Sequence, residues 1–150
     1  MYNKRAYYIH MKAIARAEKI TTASAESVFT LWSDCEHWPL WDDSIEWAKR
    51  KAPFAAGSTY KLKPKGGPVI KATILSVESH ASFTDVSHLP GAKLQFSHTL
   101  AKQGTMTIVV HEVAVSGFLA PLWEKIMGKS LRNDLQPALN KLVALAEERS

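Results

Sequence analysis

The chain has 150 residues, a net charge of +5 at pH 7 and one cysteine, a length that suits one domain able to bury a full core. Lone Cys35 excludes an internal disulfide. The first residues lack the apolar core and small-residue cleavage site of a secretory signal, and no apolar run approaches the roughly 18 residues of a membrane span. A reducing, cytoplasmic setting is the expectation. The positive charge is local: Lys4, Arg5, Lys12, Arg16 and Lys19 stand against only Glu18 in the first nineteen residues. No aromatic residues interleave the later basic clusters as a base-stacking surface would require, so no stable nucleic-acid partner is expected.

Residues 1–11 read as a flexible leader ahead of a single domain at 12–150, although Tyr7 to Ile9 could extend the first strand. Lys12 to Thr21 alternates as a strand, with Ile14, Arg16, Glu18 and Ile20 on one side and alanines on the other. Ser24 then stands where a hydroxyl caps a helix beginning at Ala25 and running through Trp32. Asp34 interrupts it, and Pro39 limits His37 to Trp41 to a second short helical turn or a loop. Ile45 to Ala48, Ser58 to Pro64, Val69 to Val77, Ser82 to Leu89 and Lys93 to Leu100 read as further strands. Lys65-Gly66-Gly67-Pro68, Pro90-Gly91 and Gln103-Gly104 punctuate them as turns.

A last β-patterned run, Thr105 to Val115, reaches Gly117 and gives way to one helix of about thirty residues. Leu119, Leu122, Trp123, Ile126, Met127, Leu131, Leu135, Ala138, Leu139, Leu142, Val143 and Ala146 recur there at the three-and-four spacing of one helical face. Gly128 and Pro137 are expected to bend it. Strands followed by a segregated helix define an α+β fold: a curved antiparallel sheet of about six to seven strands around a long C-terminal helix, with two short helices after the first strand.

Two strand histidines are the first candidates for chemistry. A two-residue turn at Gln103-Gly104 puts Leu94, Phe96, His98 and Leu100 on the same face as Thr107, Val109, His111, Val113 and Val115. A one-residue slip would turn Glu112 inward, so the histidine-in register is preferred. His98 and His111 could then orient a ligand or act as acid and base, or serve only as hydrogen-bonded core. Asp134 interrupts the long helix's apolar stripe and is a third proton-carrying candidate; the alternative is a surface carboxylate paired with Lys141 or Lys129. Trp32, Trp38, Trp41 and Trp47 crowd sixteen residues, and Trp123 opens the long helix. Flat rings with a polar edge suit either a ring-binding pocket or ordinary core. Trp38 and Trp41 are the preferred entrance pair. No metal-ligand spacing, phosphate loop or nucleophile elbow occurs, so neither metal nor cofactor is expected. Cys35, between Asp34 and Glu36, is expected to have a raised thiol pKa.

Several segments together resemble the START-like, or SRPBCC, superfamily, in its polyketide cyclase/dehydrase and lipid transport branch: Trp38-Pro39-Leu40-Trp41-Asp42, Lys63 to Gly67, Phe83-Thr84-Asp85, Leu89 to Ala92, Phe96-Ser97-His98 and Ser116-Gly117. The resemblance implies a helix-grip fold with a cavity between sheet and C-terminal helix. Its members carry lipids, bind hormones or cyclise polyketides. The expected function is binding of a small hydrophobic molecule, lipid, quinone or aromatic polyketide-like. Its expected lining is Trp32, Trp38, Trp41, Tyr60, Leu94, Phe96, His98, Val109, His111, Trp123, Met127, Leu131 and Asp134. One alternative is a cyclase or dehydrase using the pocket His and Asp groups. Another is an interaction or nucleic-acid module with a filled core, suggested by the basic N-terminal end.

Overall fold

The computed structural model describes residues 11–150. All of the expected leader except Met11, with the possible Tyr7 to Ile9 extension, lies outside the described residues. Seven strands follow the order β1 (Lys12–Thr21), β2 (Ile45–Arg50), β3 (Thr59–Pro64), β4 (Ile70–Glu78), β5 (Ser82–Leu89), β6 (Ala92–Gln103) and β7 (Met106–Ser116). Helix α1 (Ala25–Ser33) and a 3-10 turn (Cys35–Leu40) separate β1 from β2, and α2 (Ala120–Glu148) closes the chain. The strands form one antiparallel sheet in the order β1-β7-β6-β5-β4-β3-β2, so the first strand returns to pair with the last.

Each element has a local cause. The Ser24 hydroxyl accepts the Ser27 amide at 3.1 Å and caps α1, as its position suggests. Register shifts at Ala13/Ala15, Ile45/Trp47 and Ile74/Ser76 insert extra residues that curl the sheet. Gly117 turns the chain from β7 toward α2 at φ +106, where an added Cβ would lie 2.6 Å from the Gly91 carbonyl oxygen and 2.8 Å from Ala92 Cα. Only glycine fits that close approach.

The β1 irregularity also changes which residues face the helix. Ile14 is buried, but Ile20 is half exposed, and Ala17 and Thr21 are the residues turned inward. The expected isoleucine face is therefore broken by the bulge. Small side chains let α2 lie close along β1. Behind Pro137, α2 buries Ala138, Leu139, Leu142, Val143 and Ala146 against Trp32, Val28, Ala17 and Val109. The tail is pinned there by the Thr21 hydroxyl, which donates to Glu147 at 2.7 Å, and by Ser150 on Ser27 at 3.1 Å.

The β6–β7 hairpin turns at Gly104-Thr105, one residue later than the sequence suggests, with Gly104 at φ +63. Pairing moves by two positions, so His98 faces His111 rather than Val109. A shift of two preserves the side-chain faces, because the strand repeat is two. Among the described residues, no helix is long and apolar enough to cross a membrane.

Candidate functional site

The inner face of the sheet is assembled from alternating residues of three central strands: Phe83, Asp85 and Ser87 on β5; Leu94, Phe96 and His98 on β6; Val109, His111 and Val113 on β7. Its rear is an aromatic block. His98 stacks on Phe83 with centroids 3.7 Å apart and planes 7° apart, and lies 4.8 Å from His111. Fully buried Trp32 reaches down from α1 and donates its indole N–H to His111 Nε2 at 3.1 Å. Trp38 donates to the Trp32 carbonyl at 2.9 Å, and its ring stands edge-on to Tyr60 at 5.3 Å. The space beneath the rear of α2 is occupied by these rings.

Burial fixes the protonation of this block. Removing imidazolium from water is costly, so burial drives His111 down to about 3. It drives His98 well below its ordinary value, helped by His111 and opposed by the hydrogen bond from Nδ1 to the Phe83 carbonyl. Both imidazoles are neutral near pH 7. Cys35 is likewise pushed up, first by burial and then by Glu36 and Asp34, while Arg50 pulls the other way.

In front of the histidines, on the same face, lies a carboxyl group that sequence reading missed. Asp85 is 2% exposed and pairs across the sheet with Ile74 and Phe96. Burial pushes its pKa up to about 7, against the lowering effect of the Tyr60 hydroxyl, which donates to Oδ2. Oδ1 has no partner. Burial, followed by the Asp85 charge, raises Tyr60 well above its ordinary value. The signal was present: Phe83 and Asp85 are two apart in one strand, so a buried Phe83 carries Asp85 inward.

Trp41 and Asp134, both predicted site residues, meet at a hollow of about 170 Å³, together with Asp42, Ser44, Ala138 and Lys141. Trp41 is 5% exposed, its indole N–H is unpartnered, and its ring lies 6.1 Å from His111 and 6.3 Å from Trp38. Asp134 is exposed at the rim. Asp42 is raised by burial and, more weakly, by Asp134, while Ser44 hydrogen bonds oppose the shift. Lys141 pairs with Asp43 at 2.8 Å rather than with Asp134, and holds Asp43 below the usual carboxylate range. A larger open hollow of about 520 Å³ lies between the β1–α1 corner and the β6–β7 turn, and holds none of the predicted site residues.

The front half of α2 is packed differently from the rear. Trp123, Met127 and Leu131 are only half buried, resting with Leu89 and half-buried Phe96 on a second apolar cluster built around Leu94 and Val113. Leu135 packs against both clusters. Trp123 is tethered at its edge, donating to the Pro90 carbonyl at 2.8 Å. The predicted residues thus divide into three groups. Trp32, Trp38, Tyr60, His98, His111 and Val109 form the sealed rear; Leu94, Phe96, Trp123, Met127 and Leu131 form the looser front; Trp41 and Asp134 stand at the rim between them.

A family model described as polyketide cyclase / dehydrase and lipid transport matches residues 12–147. The chain belongs to this family. Its fold is shared with a START superfamily protein from Mycobacterium smegmatis, at TM-score 0.69 and 18% identity over 93% of this chain and 100% of that one. Norcoclaurine synthase from Thalictrum flavum, solved in complex with dopamine and hydroxybenzaldehyde, aligns at TM-score 0.71 and 14% identity over 100% and 95% of the two chains. A protein from Thermus thermophilus aligns at TM-score 0.70 and 17% identity over 91% and 98%. At these identities the likeness establishes the START-like, helix-grip fold. No curated protein sequence matches the chain. Among the described residues, no three His, Cys, Asp or Glu side chains gather as a metal site.

Proposed function

We propose that the protein binds a small hydrophobic molecule, of lipid, quinone or aromatic polyketide character, between the front half of α2 and the inner face of β5 and β6. The observation that carries this reading is the incomplete burial of Trp123, Met127, Leu131 and Phe96 on facing elements, beside a rear half whose side chains are sealed. Half-buried apolar surface gains roughly 25 cal/mol for each Å² a guest removes from water. The hollow at Trp41 and Asp134, about 170 Å³, is smaller than the roughly 300–1,000 Å³ of drug-sized sites. Entry therefore requires the front of α2 to lift from Phe96 and Leu89, or the Trp41 to Ser44 loop to swing. Asp85, which pairs across the sheet with Phe96 and has one carboxyl oxygen unpartnered while Tyr60 holds the other from the sealed rear, supplies the polar anchor for a ligand hydroxyl or carbonyl. Native mass spectrometry and tryptophan quenching against a panel of lipids, quinones and aromatic polyketides test the reading. Bound species and quenching are expected; a panel that leaves both signals unchanged refutes it.

A second reading, acid–base catalysis of a cyclisation or dehydration, is favoured by Asp85 alone. A carboxyl group titrating at about 7 holds or releases a proton at neutral pH, whereas the histidines stay neutral. Asp85→Asn should then abolish turnover while ligand quenching survives. Loss of both together would leave Asp85 as a binding group only.

A further inference from the structure

Where α2 begins, three large apolar side chains stand in solvent: Phe118, in the turn before the helix, at 84% exposed, and Leu122 at 48% and Ile126 at 58% on the helix side that faces away from the core. Leu122 and Ile126, four apart, share one helix face, turned away from that of Trp123, Met127 and Leu131, and Phe118 extends the patch from the preceding turn. Exposed leucines are common singly, but three adjoining large apolar side chains on the solvent side have no packing partner among the described residues that would bury them. Phe118 projects at the step before the helix, over the Gly91 turn.

The surroundings of the stripe are basic. Lys125, Lys129 and Arg132 are exposed on the same side and, among the described residues, have no carboxylate within ion-pair distance. The local acid, Glu124, is already engaged by Lys12 at 2.8 Å. Arg132 folds back along the helix over Gly128. Three apolar side chains framed by three unneutralised cations are the composition of a surface helix that seats in the interface of an anionic bilayer. A second copy of this chain is the poorer occupant, because a two-fold contact would set these cations against one another.

We propose that the Phe118–Leu122–Ile126 stripe is a docking surface for anionic lipid membrane, with Lys125, Lys129 and Arg132 meeting the headgroups. Docking here lays the front of α2, whose inner side covers the half-buried apolar cluster, against the bilayer. The surface is separate from whatever the interior binds.

Co-sedimentation with phosphatidylcholine vesicles, with and without phosphatidylglycerol, tests the proposal using the full chain. The protein should pellet with the phosphatidylglycerol vesicles, and less so in high salt. Phe118→Ser with Leu122→Gln and Ile126→Gln should lower partitioning by about tenfold or more. Lys125→Glu with Lys129→Glu should lower it by about fivefold or more for each charge removed. All five positions are exposed, so unchanged circular dichroism and unchanged ligand quenching would locate the loss at the surface. The proposal is overturned if the wild-type chain stays in the supernatant with both vesicle types. It is equally overturned if the apolar variant binds as well as wild type, leaving charge alone responsible. A dimer seen by light scattering and abolished by the apolar triple substitution would assign the stripe to a second copy instead.

Discussion

The two halves of α2 carry similar numbers of apolar residues and meet the same sheet, yet they end in different states. Behind Pro137, Leu139, Leu142, Val143 and Ala146 are sealed by Trp32, by small β1 side chains and by polar pins at Thr21 and Ser150. Ahead of it, Trp123, Met127 and Leu131 pack over Phe96 and Leu89 but stay only half buried, held by surface contacts at Pro90 and Lys12. The difference lies in what fills the sheet's concavity. At the rear a fully buried tryptophan from α1 plugs it; at the front Trp123, from α2 itself, is only half buried. One end of the helix therefore serves stability, and the proposed binding site lies at the other.

The comparison breaks most directly at its two tryptophans. Trp32→Ala should cost about 3–5 kcal/mol and orphan His111, while Trp123→Ala should cost about 1–2 kcal/mol, because its ring is only half buried. Equal losses in thermal unfolding would erase the distinction between plug and flap.

Next in size is a pH effect with opposite signs in the two regions. Asp85 is raised from 3.8 to about 7, so its stabilising contribution is full below pH 3.8 and drains away as pH rises toward 7. His111 is lowered from 6.5 to about 3, so its contribution is full above pH 6.5 and is lost as pH falls toward 3. Each effect amounts to about 1.4 kcal/mol per pH unit in its window, and the two oppose each other between pH 4 and 6.5. Asp85→Asn should match wild type below pH 4 and become progressively more stable up to pH 7. His111→Gln, which keeps an acceptor for Trp32, should reduce the slope of the acid limb and leave the part carried by His98. Denaturant unfolding across pH 3–8 checks both, and parallel curves would contradict the assigned environments.

A subtler division should appear in binding. Leu131→Gln should weaken apolar-ligand quenching about tenfold, roughly 1.4 kcal/mol, with little change in melting temperature. Leu142→Ala should cost about 2–5 kcal/mol of stability. The smallest effect belongs to Lys141→Ala: the ion pair with Asp43 is exposed, so thermal unfolding should hardly move.

Much of the fold was legible in the residues, though not this division. Period-two alternation located the strands and turned His98 and His111 inward, and the three-and-four spacing located α2. Their direct pairing was hidden, because it depends on whether the hairpin turns at Gln103 or at Gly104, which the local composition does not decide. The bulge in β1 has no sequence marker, so the simple alternation that groups Ile14 with Ile20 misses that only Ile14 is buried. Asp85 was readable from Phe83 and was overlooked because histidines drew the chemistry. The fates of Trp41 and Lys141 depended on the loop at Asp43 meeting α2, a contact nearly a hundred residues long in sequence that no periodicity encodes.

The central claim is that the front of α2 receives an apolar guest while the rear remains packed. Methyl-resolved NMR during titration with a hydrophobic quinone reports on both halves at once. Shifts are expected at Met127, Leu131 and Leu135, with Leu139, Leu142 and Val143 unmoved. Silence at the front, or shifts concentrated at the rear, would contradict it.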